Sequence, residues 1–109
     1  MPRYLWRGSY TTQGIRGLLA EGGTSRRETI ERLTVDELGG IVEAFYFAFG
    51  DRDVVVIAEV PDPTTAAAIT MAIRASGAVD VETTVLLTPE EMDVAAEKAT
   101  AVSYRPPGG

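Results

Sequence analysis

Three charges stand side by side in Gly50-Asp51-Arg52-Asp53, between two apolar runs. Such a cluster could hold a cation or supply an acid and a base. Alternate residues of an extended segment point to opposite sides, however, so three in a row do not converge. Asp and Gly also favour turns for backbone reasons alone. The turn is the preferred reading, with Arg52 projecting to solvent and Gly50 supplying a conformation that side chains resist. Arg7 and Tyr10, with Trp6 between strand neighbours and Tyr46 further along, are candidates for lining a ligand pocket. Aromatic residues on a covered strand serve equally well as core. Glu90-Glu91 follow a helix cap and suit the positive end of a helix dipole rather than a metal. The stretch GLLAEGGTS precedes a helix but lacks the spacing and lysine of a phosphate loop. No catalytic residue is assigned.

Composition closes several routes. The 109 residues contain no histidine and no cysteine. That removes a Ser-His-Asp triad, thiolate chemistry, a haem-ligating imidazole and most zinc sites. No metal and no cofactor is expected. A net charge of −6 with dispersed basic residues opposes nucleic acid. No apolar run approaches a membrane span, and no signal peptide is visible, so a cytoplasmic setting is expected.

The elements that must position these residues read in order. Residues 3–11 alternate as a strand, with Tyr4, Trp6, Gly8 and Tyr10 on one face and Leu5, Arg7 and Ser9 on the other. Residues 12–22 form a short, irregular helix weakened by Gly14 and Gly17. Ser25 and Glu28 have capping-box spacing for a second helix that runs to about Leu38 and ends at Gly39-Gly40. Residues 41–49 and 53–60 are strands joined by the Gly50 turn. Asp62 caps a helix with Pro63 at its first position, ending near Gly77. Residues 78–87 are a fourth strand. Thr88, Pro89 and Glu91 open a last helix, and residues 102–109 form an extended tail. The order predicts one α+β domain over 1–109. It is a ferredoxin-like βαββαβ unit with a four-stranded antiparallel sheet, helices on one face and an added C-terminal helix.

Such a sheet should be polar on its open face. The middle strands are apolar on both, with Phe45, Phe47 and Phe49 opposite Val42, Ala44 and Tyr46 on one strand, and Val55 and Ile57 opposite Val54, Val56 and Ala58 on the next. A second copy, sheet on sheet, is the natural cover. Burying ~600 Å² of apolar surface would contribute roughly 15 kcal/mol before association costs. Met71 and Ile73 make the third helix apolar nearly all round. Val35 and Ile41 add further contact candidates. A homo-oligomer is expected, as a dimer, trimer or hexamer.

The stretches YLWRGSYTTQGIRGLLAEGGTSRRETIERL, GGIVEAFYFAFGDRDVVVIAEVPD, ASGAV and LLTPEE, with the YRPPG tail, resemble the GYD domain family of actinobacterial type. The resemblance implies a dimeric α/β-barrel, in which ferredoxin-like subunits bring their sheets face to face. It implies no reaction. The Gly-Tyr-Asp signature falls at the hairpin, where Gly50 and Asp53 fit and Arg52 stands in place of the tyrosine. Ile41 and Asp80 stand where the resemblance implies a polar and a basic residue. A surface redesigned to meet a second designed component would show both features. Two functions stay open: a self-assembling or interaction module, natural or engineered, and a small-molecule binder or cofactor-free enzyme with its cavity between the sheets. A packed inward face favours the first and an open cavity lined by Arg7, Tyr10 and Tyr46 the second.

Overall fold

The computed structural model describes residues 1–109. Its elements are β1 (Arg3–Tyr10), α1 (Thr12–Glu21), α2 (Gly23–Arg32), β2 (Ile41–Phe47), β3 (Val54–Glu59), α3 (Pro63–Ala75), β4 (Val79–Leu86) and α4 (Pro89–Thr100). The four strands form one antiparallel sheet in the order β2-β3-β1-β4. This is the ferredoxin-like arrangement the element order predicts.

The helix-side face of the sheet makes the core. Tyr4, Trp6, Val54, Val56, Ala58, Val79 and Val81 pack there against Ala66 and Ile69 of α3. Trp6 would leave a buried indole N–H unsatisfied, but it donates to the Thr70 hydroxyl at 3.1 Å. Thr70 also meets Thr83 of β4, so one hydroxyl ties α3 to two strands.

Three local expectations change. Ser25 does not cap α2. The chain turns at Gly22, whose φ of 83° only glycine adopts freely, and α2 begins at once. Ser25 lies inside the first turn and donates to Glu21 instead. Thr11, read as strand, is the cap of α1 and accepts from the Gly14 amide at 3.1 Å. The second helix does reach Gly39, but its last turn over Leu33–Glu37 widens to π geometry. Gly39 then closes it at φ 71°.

Two caps form as their sequences predict. Asp62 accepts from the Thr65 amide and from the hydroxyls of Thr64 and Thr65. Thr88 and Glu91 exchange both bonds of a capping box. These bonds hold the Asp62 and Glu91 carboxyls below their ordinary values. A depressed folded pKa gives stability that is present above the unfolded value, about 4, and is lost as pH falls through the folded value. Helicity of α3 and α4 is therefore expected to fall below about pH 4 in a far-UV circular dichroism titration. Asp62→Asn, which keeps a cap without the ionisation, should lose less of it.

The helix α4 stands apart. It has no buried residue and rests only lightly on the body. The radius of gyration is 17.0 Å, against about 13 Å for a compact chain of this length. Met92, Val94, Val102 and Tyr104 of this arm are all exposed.

Candidate functional site

The open face of the sheet, opposite the helices, gathers an apolar centre between two ionic ends. Strand pairing sets three rows across it. Tyr46, Val55, Arg7 and Glu82 lie in one; Ala44, Ile57, Leu5 and Thr84 in the next; Ile41, Glu59, Arg3 and Leu86 in the third. Side chains in register across a sheet share a face, so these rows form one surface.

Each end is closed by arginine–carboxylate bonds. Arg3 Nε donates to both Glu43 oxygens, at 2.8 and 3.0 Å, and its terminal nitrogen lies 3.7 Å from Glu59. The Glu43 carboxylate raises the Arg3 pKa. At the other end Arg7 donates to Glu82 at 2.9 Å, and Arg52 approaches the second Glu82 oxygen at 3.3 Å. The Arg3 cluster therefore carries one negative charge in excess and the Arg7 cluster one positive charge.

The ligand candidates do not meet in one place. Arg7 and Tyr46 share the open face, with Val55 of β3 between them, and Tyr46 is 69% exposed. Tyr10 lies on the opposite face, where it stacks with Phe47. The alternation of β1 separates them, since positions 7 and 10 differ by an odd number. A pocket lined by all three does not form.

The interface candidates are also divided. A bulge between Val42 and Ala44 inserts one residue into β2 and shifts its alternation. Phe45 and Phe47 thereby turn to the helix side and pack on the core. Phe49 lies past the strand end and is 94% exposed. Ile41 stands at a corner of the open face. Ile73 packs against the core, while Val35 and Met71 are exposed on the helical side of the molecule. Strand-by-strand reading missed Leu5 as the partner of Ile57 on the open face, and it missed the three-residue bridge of Arg7, Arg52 and Glu82.

The hairpin charges go to separate tasks. Asp53 accepts from the Tyr10 amide at 2.9 Å and donates its own amide to the Gly8 carbonyl, fastening the turn to β1. Arg52 reaches Glu82, and Asp51 is exposed. Gly50 does not have positive φ, and a methyl group there would meet open space. The strain expected at Gly50 is therefore absent. Gly50→Ala should change stability by no more than about 0.5 kcal/mol, and Arg52→Ala by no more than about 1 kcal/mol, the range of an exposed ion pair. Urea melts of both proteins check this.

No helix is long and apolar enough to cross a membrane. In comparison with known proteins, the family model described as GYD domain matches residues 4–96. No curated protein and no solved structure matches significantly.

Proposed function

Because the chain belongs to the GYD domain family, we propose that it works as a self-assembling module whose open sheet face is covered by a second copy of the same chain. The observation that carries this reading is the layout of that face. Leu5, Ala44, Val55 and Ile57 form an apolar centre, and ionic clusters of opposite excess charge close its ends. An apolar core within a polar rim is the anatomy of a protein interface.

The charges favour a self-complementary pairing. When two copies meet about a twofold axis that crosses the strands, strand ends exchange places. The Arg3–Glu43–Glu59 cluster of one copy then faces the Arg7–Arg52–Glu82 cluster of the other. Each excess charge meets its opposite, which specifies orientation. Two twisted sheets stacked in this way would sit about 10 Å apart and interdigitate their side chains. The detached α4 fits the same reading. Its exposed Met92 and Val94 gain cover only if the arm lies on a partner.

Sedimentation velocity at micromolar concentration tests the proposal. The expected species is a dimer, with twice the 11.7 kDa chain mass. An 11.7 kDa monomer at 50 μM and above (roughly the onset of weak association) would refute it. A trimer would place the contact on a surface other than a twofold sheet pair.

A further inference from the structure

We propose that the helix side of each subunit holds a binding site for a small aryl or short-chain alkyl carboxylate, in a cleft between the α1–α2 pair and α3. This site is independent of the open face and of any assembly through it.

The cleft follows from how the helices are laid on the sheet. α3 packs over β4, while α2 lies against β2. Between Ile30 of α2 and Ile73 of α3 the two helices leave a gap over part of the sheet. A cleft of about 540 Å³ opens there, between Gly17 and Leu18 of α1 and Ala72 and Ile73 of α3. Beneath it, a void of about 50 Å³ continues down to Trp6, Val56 and Val81. The two spaces share Tyr10, Arg26, Ile30, Ile73 and Val79, so they form one funnel. Most residues around the void are apolar. Such a floor favours a hydrocarbon body over water.

The throat has its polar groups at one place. Arg26 stands there with its Nε turned to Glu21, 3.3 Å away. The other Glu21 oxygen is held by the Ser25 hydroxyl at 3.2 Å, which fixes the carboxylate. Glu21 thus occupies one edge of the guanidinium. The terminal N–H groups form a fork that bonds the Tyr10 phenol oxygen and keeps further N–H donors for a carboxylate. Tyr10 lies beside Arg26, and burial raises its phenol pKa while Arg26 opposes the rise. The phenol therefore stays protonated near neutral pH and offers an O–H donor next to the fork. Two kinds of donor converge above an apolar floor. That combination selects an apolar molecule with one anionic oxygen pair, since charge-assisted bonds to such a fork are the strong ones.

The chain supplies its own reporter. Trp6 is the single tryptophan and lies in the funnel floor. Titration with 4-phenylbutyrate, 4-phenyl-1-butanol and acetate, followed by Trp6 emission and by calorimetry, separates the contributions. The acid is expected to bind with a dissociation constant on the order of 1 mM or tighter. The alcohol should bind at least about tenfold more weakly, and acetate should not bind. Arg26→Gln should remove the acid's advantage over the alcohol. Gly17→Leu plugs the mouth, because a side chain at Gly17 meets no atom of the protein nearby. It should abolish binding of both aryl probes while leaving the thermal melt intact. No Trp6 response and no heat with the acid would overturn the proposal. So would undiminished binding to the Gly17→Leu protein, which would put the ligand elsewhere. Equal affinity for acid and alcohol would overturn the carboxylate assignment.

Discussion

Gly14→Ala is expected to destabilise the fold by about 2–4 kcal/mol, the range of a forced steric overlap in a packed site. Gly14 is buried in the first turn of α1, where the helix lands on the start of β4. A methyl group there would overlap the Ala78 carbonyl oxygen, which is backbone and cannot swing aside. The overlap falls at a crowded junction. The same carbonyl accepts from the Thr11 amide at 3.0 Å, and the Thr11 hydroxyl donates to the Gly77 carbonyl at 2.8 Å. Moving α1 away would break these bonds and uncap the helix, so relief of one cost incurs another. A thermal melt should shift down by roughly 10–20 °C for a domain of this size. The neighbouring Gly17 gives the internal control. It lies in the same helix with open space around it. Gly17→Ala should stabilise by up to about 1 kcal/mol, through helix propensity and a less flexible unfolded chain. If both substitutions stabilise, α1 does not contact β4 closely.

That pair also marks where sequence reading reaches its limit. Gly14 and Gly17 look alike in the sequence, as two helix weakeners one turn apart. Only tertiary contact tells them apart, because the cost at Gly14 comes from a carbonyl 64 positions away in the chain. The element order was legible throughout, since each strand and helix carries its own period and its own stop signal. Thr88-Pro89-Glu90-Glu91 named a cap that forms, because the signal is local and no other contact competes with it. Ser25-Arg26-Arg27-Glu28 had the same spacing and failed, because Gly22 allowed the helix to start three residues earlier. The second face of the sheet was legible as apolar, but its membership was not. One inserted residue near Glu43 moved Phe45 and Phe47 to the helix side. A bulge of this kind leaves no periodic trace, although a lone acid inside an apolar strand, bonded to Arg3, is consistent with one. The Arg26 throat had no signal at all. It exists because two helices and a strand end, distant in sequence, meet around Tyr10.

Ile57→Asp is expected to convert the assembled protein to a folded monomer. Ile57 sits in the middle row of the open face, between Ala44 of β2 and Leu5 of β1, and is half-buried in the single chain. An aspartate there can remain hydrated in the monomer, so secondary structure should be unchanged by far-UV circular dichroism. In a sheet-on-sheet dimer the same carboxylate would enter the apolar centre without a partner. An uncompensated buried charge costs about 3–5 kcal/mol, or a factor of roughly one hundred to several thousand in dissociation constant. A twofold axis places both copies of the new charge in one interface, so the penalty is incurred twice and repulsion is added to it. Sedimentation at micromolar concentration should then show only the 11.7 kDa chain. Ile57→Val, which keeps the apolar surface, should leave the dimer in place. Tyr46→Ala, toward the edge of the same face, should weaken association by a smaller factor, as expected outside the centre of an interface. If the Ile57→Asp protein keeps the oligomer's mass, the open face is not the contact, and the exposed apolar residues of α4 become the surface to test.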